Sequence, residues 1–150
     1  FTWEMPQSGG LYWLRSANRH LVEAVKDSKH LQKNLLKAGH SENKFVRTEY
    51  FKIRYQIAEL LREIDCFRHK AKSKEDYDVD AELSRFNRVI REQDDTMNST
   101  IDALIREHKI TSLEGSSLIN DSAYMYEIKR NFIDMVETVF VIQADKIREE

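Results

Sequence analysis

Four side chains able to bind a metal ion recur along one stripe of the first long helical segment. They are His20, Glu23, Asp27 and His30. At about 100° per residue this spacing keeps them on one side of a helix, with the two carboxylates a single turn apart. Carboxylate oxygens flanked by imidazole nitrogens suit a divalent or ferric ion such as Fe, Zn or Mn. The stripe predicts a metal site; the alternative is an ordinary solvated face, in which Lys26 and Lys29 soften the repulsion between the carboxylates.

If this protein were an enzyme, its catalytic site would be expected at the same stripe. A di-iron bundle needs inward Glu-x-x-His pairs on two helices, whereas Asp27–His30 is the one acidic-x-x-His match and is expected to face outward, with Leu21 and Val25 taken as the buried face. No Gly-rich phosphate loop and no Gly-x-Ser-x-Gly motif occurs. We expect no enzymatic activity and no organic cofactor; a metal-dependent hydrolase or redox bundle is the enzyme alternative.

Two further groups of polar residues have structural explanations. The single Cys66 excludes an internal disulfide, and its neighbour His69 lies with it on an outer helix face, where a Cys-His nucleophile has no pocket. In the last helical segment, Ser117, Asn120 and Tyr124 fall at seam positions, with Asp121 beside them. These polar residues set helix register through a buried hydrogen bond, or they form a patch that a partner recognises.

The elements that carry these residues are long helices. The chain has 150 residues, of which 41% are hydrophobic, with one Pro and four Gly, too few turn residues for a sandwich or barrel. Apolar residues recur at alternating spacings of four and three in the second segment: Val46, Tyr50, Ile53, Ile57, Leu60, Ile64 and Phe67. Three other segments repeat the pattern, the first through Leu14, Leu21, Val25 and Leu35, the third from Val79 to Leu104, and the fourth from Leu113 to Ile142.

Helix-terminus signals separate the four segments. Gly39 ends the first helix and Ser41 is expected to open the second, while Thr111 and Glu114 form a capping box for the fourth. Four long helices joined by short breaks must fold back on one another. The predicted fold is all-α, an elongated antiparallel up-down-up-down four-helix bundle over residues 11–150, with residues 1–10 as a tail or linker.

Charge and hydropathy exclude two classes of partner. The net charge is −2, so no overall basic field indicates nucleic acid. No apolar run approaches the roughly 20 residues of a membrane span, and we expect the chain itself to be soluble. A helix seam has the same sequence pattern whether it packs within one chain or between two chains. The sequence therefore leaves open whether the chain forms a homo-oligomer.

Two stretches resemble a known family. The first runs from Leu11-Tyr-Trp-Leu through His20-Leu-Val-Glu-Ala-Val-Lys-Asp-Ser-Lys-His-Leu to Leu35, and the second is Ser117-Leu-Ile-Asn-Asp-Ser-Ala-Tyr-Met-Tyr-Glu-Ile128. Both resemble the PhoU-like cytosolic domain at the C-terminal end of bacterial sodium/phosphate cotransporters, and together they cover about a quarter of the chain.

The resemblance implies a non-enzymatic regulatory domain on the cytoplasmic side of the membrane. Its partner would be a membrane transport region of the same polypeptide, upstream of Phe1. PhoU proteins hold metal clusters through acidic Glu/Asp-x-x-x-Asp motifs, and Glu23-Ala-Val-Lys-Asp27 matches that motif. A full PhoU has paired motifs in two repeats, whereas this chain has one match. The alternative function is a stand-alone coiled-coil adaptor, whose seams drive association.

Overall fold

The computed structural model describes the backbone of residues 6–73 and 76–148, and the side chains of residues 10–73 and 76–140. Four helices account for it: α1 (Pro6–Ala38), α2 (Lys44–Ser73), α3 (Val79–Arg106) and α4 (Ser112–Arg148). The fold is an all-α four-helix bundle, as predicted. None of these helices is both long enough and apolar enough to span a bilayer.

The helix ends follow from local side-chain chemistry. Asp78 caps α3 by accepting from the backbone N–H of Ala81 at 2.9 Å, and Thr111 Oγ1 accepts from the N–H of Glu114 at 3.1 Å in the predicted capping box. The predicted N-cap residue of α2 was wrong. Asn43, rather than Ser41, precedes the helix, and its Oδ1 accepts from the N–H of Phe45 at 2.9 Å.

The first helix starts earlier than the sequence pattern suggests. It begins at Pro6 instead of Leu11, so residues 6–10 of the predicted tail are helical, and the remainder of that tail, residues 1–5, lies outside the described residues. Proline suits the first helical turn, because its missing N–H would have no partner there.

The last helix is the centre of the bundle. Its α1 contacts include Asn34 with Asp121 and His20 with Asn131, so the two helices run antiparallel. In the described part of the chain α4 also packs on α2 and α3, whereas α1 and α3 make no close backbone contact. The cross-section is therefore a flattened rhombus with α2 and α4 on its short diagonal.

Helices α2 and α3 bury the residues that their heptad pattern predicts. Five of the seven predicted residues of α2 are buried: Val46, Tyr50, Ile53, Leu60 and Phe67. The other two, Ile57 and Ile64, are half-buried. On α3 the buried set is Leu83, Phe86, Ile90, Met97, Ile101 and Leu104. On these two helices the heptad spacing of the apolar residues identified the buried faces correctly.

Helix α1 buries a different face from the predicted one. Leu14, Leu21 and Val25 are 55%, 39% and 50% exposed. The buried residues are instead spaced by seven: Ala17, Ala24, Leu31 and Ala38. Small side chains let α1 approach α4 closely, and this close packing rather than side-chain size decides the orientation of α1.

The seam of α4 is also shifted from the prediction. Leu113 is 79% exposed, and Ser117 and Asn120 face solvent. The buried positions include Leu118, Asp121, Ser122, Met125, Ile128, Lys129 and Ile133, and the predicted seam position at Ile142 lies outside the described side chains. Because α4 contacts three helices, it buries a wide arc, and no single heptad stripe represents that arc.

Candidate functional site

The four predicted metal ligands lie along the groove between α1 and α4. His20 Nδ1 and Asn131 Oδ1 are hydrogen-bonded at 3.1 Å, and the Glu23 carboxylate accepts from Lys26 Nζ at 2.9 Å. His30 is exposed and stacks on the Tyr124 ring, with 5.3 Å between the ring centroids. Three of the four side chains thus have partners other than a metal ion.

The acidity of Asp27 in this stripe is perturbed by its surroundings. Partial burial raises its pKa, the nearby Glu23 carboxylate adds to the rise, and His30 and Lys26 oppose it. A helical rise of 1.5 Å per residue separates His20 from His30 by about 15 Å, too far to ligate one ion. Among the described side chains, those of residues 10–73 and 76–140, no three His, Cys, Asp or Glu are grouped to hold a metal. The metal site stays a prediction, centred on Glu23 and Asp27.

A buried polar cluster that links three helices occupies the other half of the same groove. Asp121 is fully buried and accepts from Asn34 Nδ2 at 3.0 Å and from Tyr50 Oη at 2.5 Å. Burial and the hydrogen bond to Asp121 raise the pKa of Tyr50 well above its usual value. The sequence showed polar residues here, but the assigned seam positions were one residue away from Asp121.

A second buried group was missed by the sequence analysis. Lys129 is fully buried, and its Nζ donates to Gln56 Oε1 at 2.8 Å and to Gln93 Oε1 at 2.9 Å. Burial lowers the pKa of this lysine to about 8, although the negative charge of Asp94 opposes the change. The available signal was its position, four residues after the core residue Met125 and four before Ile133. In both clusters the charged group is fully buried, and its hydrogen bonds to neighbouring helices fix helix register in the core.

The largest exposed feature is a surface that is both apolar and basic. Eleven of the thirteen large apolar side chains described as exposed belong to α1 and α2. These two helices contain fourteen Lys and Arg against six Asp and Glu, while α3 and α4 contain eight against twelve. The charge of the protein is therefore strongly asymmetric, in spite of a net value of −2.

This surface can be located on the bundle through Leu35. Leu14, Leu21 and Leu35 recur at multiples of seven residues and so share one flank of α1. Leu35 lines a cavity of about 380 Å³ between α1 and α2. We name this flank and the adjoining side of α2 the α1–α2 face, defined by Leu14, Leu21, Val25, Leu35, Lys44, Arg47, Phe51 and Arg54.

The cavity in the α1–α2 face has the chemistry of an anion site. Lys44, Arg47 and Arg54 line it together with Phe51, and no carboxylate is among its lining residues. In the described part of the chain none of these three cations forms an ion pair with an acidic side chain. Arg47 instead donates to the carbonyl oxygen of Ser41 at 2.5 Å.

Comparison with known proteins gives no further assignment. No family model, no curated protein and no solved structure matches this chain. The candidate site therefore rests on the geometry and charge described above.

Proposed function

We propose that this bundle is a non-enzymatic regulatory domain that acts by docking through the α1–α2 face. The observation that carries the proposal is the coincidence, on one side of the molecule, of the exposed apolar side chains with the excess of positive charge. Monomeric proteins seldom leave a large apolar patch uncovered, and such patches usually mark an interaction site.

The resemblance to the cytosolic domain of sodium/phosphate cotransporters supplies a setting for that docking. In this proposal the partner is the membrane transport region, and the bundle adjusts phosphate movement by binding to it and leaving it. Metal at Glu23 and Asp27, on the opposite flank of α1, would bias the position of that helix. The stretch that carries most of the resemblance is α1 itself, the helix whose apolar side chains are exposed.

A stand-alone helical adaptor is the second candidate. It is favoured by the heptad spacing of Leu14, Leu21 and Leu35, because a heptad stripe on a helix commonly packs against another helix. The seam of α2, which first suggested this function, is used inside the bundle. The exposed part of the α1 stripe, Leu14 and Leu21, takes its place in the adaptor hypothesis.

Reading the coding sequence that precedes Phe1 distinguishes the two candidates. Several apolar spans of about 20 residues there would support the transporter domain, and a nearby start codon without spans would leave the adaptor. With spans present, the double variant Leu21→Glu/Val25→Glu should change sodium-dependent phosphate uptake at least twofold at equal protein level. Ile119→Glu, an exposed apolar position on α4, is the matched control. Equal uptake in all three proteins would contradict the docking proposal.

A further inference from the structure

We infer that the α1–α2 face docks on the anionic membrane that surrounds the transport region, with lipid phosphates in the cavity between the two helices. This inference rests on the proposed function, since it names the chemistry of the docking partner. Two properties of the face carry it. The face is basic, with no carboxylate among the residues that line its cavity, and it carries exposed leucine and valine side chains of α1.

The positive charge exceeds the acids that can pair with it. All fourteen Lys and Arg residues of α1 and α2 are exposed, against six Asp and Glu on the same helices. Four of these cations form ion pairs with neighbouring carboxylates, whereas Lys44, Arg47 and Arg54 form none in the described part of the chain. An anionic leaflet therefore meets cations first, and each basic residue near such a leaflet strengthens binding by about fivefold.

The apolar residues have the arrangement of an interfacial helix. Leu11 and Leu14 are more than half exposed on one flank of α1 near its N-terminal end, and Val22 and Val25 continue along that flank. Basic residues at the border of an apolar helix face allow the helix to lie in the headgroup region with its apolar side toward the acyl chains.

The cavity supplies a specific contact within this surface. Lys44, Arg47 and Arg54 surround about 380 Å³ of space, with Phe51 and Leu35 on its apolar side. Arginine donates two parallel hydrogen bonds to a phosphate, and lysine adds a point charge. A phospholipid fits both the basic and the apolar side of the cavity, because its headgroup is anionic and its acyl region is apolar.

Three other occupants fit the face less well. A second copy of this chain bound face to face would place two strongly positive surfaces against each other. Nucleic acid would neutralise the charge and leave the leucine stripe in water. A partner helix would need to be both acidic and apolar along its whole length. Of the three alternatives, only such a helix would match both the charge and the apolar side chains of the face.

Vesicle flotation tests the inference with the whole chain. One vesicle preparation is phosphatidylcholine alone, and the other contains one part phosphatidylglycerol to two parts phosphatidylcholine. We expect flotation with the anionic vesicles only, and its loss at high salt. Arg47→Glu/Arg54→Glu and Leu21→Glu/Val25→Glu should each weaken binding at least tenfold. The matched control Arg88→Glu/Arg91→Glu changes two exposed cations on α3 and should bind like the wild type.

The outcomes separate this inference from the proposed function. Absence of flotation, equal binding to both vesicle types, or equal weakening by the α3 control would overturn membrane binding. So would complete displacement by millimolar inorganic phosphate, because the cavity would then hold a free anion. If vesicles fail to bind while Leu21→Glu/Val25→Glu still changes phosphate uptake, the partner is an acidic protein surface, and the docking proposal stands. Circular dichroism confirms that each variant is folded.

Discussion

The hydroxyl of Tyr50 on α2 donates to the buried carboxylate of Asp121 on α4 at 2.5 Å. Asn34 on α1 donates to the same carboxylate, so one acidic group holds three helices in register. An ionised group without water depends on such donors, and their loss costs more than the loss of a neutral hydrogen bond.

Replacing Tyr50 by phenylalanine keeps the ring and removes one of these donors. We expect Tyr50→Phe to lower the free energy of unfolding by about 2 kcal/mol, since Asp121 is left with Asn34 alone. Urea denaturation at neutral pH measures the change. Tyr55→Phe, at an exposed position of the same helix, serves as the control and should cost less than about 0.5 kcal/mol. Equal stability of the two variants would show that the contact contributes nothing.

The pH dependence of stability reports on the same tyrosine. Its pKa is raised in the folded protein, so the unfolded chain loses the proton first as the pH rises above 10. Stability should therefore be lost above about pH 10, and Tyr50→Phe should lose less than the wild type over that range.

The lowered pKa of Lys129 predicts that stability increases with pH, in a range below the one in which Tyr50 acts. Its folded pKa of about 8 lies below the ordinary value of 10.5, so between these values the unfolded state binds a proton that the folded state does not. Stability should rise across this interval, with a slope of at most about 1.4 kcal/mol per pH unit. Lys129→Met should remove the rise in urea denaturation, and the exposed control Lys33→Met should retain it. A rise that persists in Lys129→Met would assign it to another group.

His108 holds a strained backbone conformation at the end of α3. Its φ is 54°, and the N–H groups of His108 and Lys109 donate to the carbonyl oxygens of Ile105 and Leu104 in a Schellman motif. Glycine adopts this conformation without a Cβ penalty, so His108→Gly should stabilise the protein by about 1 kcal/mol. His108→Ala, which keeps the Cβ, should give no such gain. Thermal denaturation compares the three proteins, and equal melting temperatures would indicate that the turn carries no strain.

The metal prediction concerns Glu23 and Asp27. If these carboxylates hold zinc, iron or manganese, Asp27→Ala should weaken binding at least tenfold, as loss of a ligand commonly does. Asp102→Ala, an exposed aspartate on α3, is the control. Affinity should also fall below about pH 6 if His20 or His30 takes part, because protons compete for the imidazole nitrogens. Equal affinity in Asp27→Ala, measured by calorimetry, would remove both carboxylates from the site.

The helical class, the four segments and the seams of α2 and α3 could be predicted from sequence because large apolar residues define them. The buried face of α1 could not, since Ala17 and Ala24 contribute little hydrophobic signal while Leu21 and Val25 contribute much. Its burial follows from a tertiary effect, the close approach of α1 to α4. The α1–α2 face was hidden for the same reason: its leucines were assigned to the core, and the net charge of −2 masks the asymmetry between helices.

A pair of substitutions at adjacent residues distinguishes the predicted and the observed face of α1. Ala24 is fully buried and Val25 is half exposed. Because helices packed through alanine have no room for a larger side chain, Ala24→Leu should force them apart and destabilise the bundle by about 1–3 kcal/mol. Val25→Ala removes two methyl groups that face water and should cost less than about 0.5 kcal/mol. Urea denaturation of both variants provides the comparison. If Val25 were a core residue, as its heptad position suggests, its truncation would leave a cavity and the order of the two effects would be reversed.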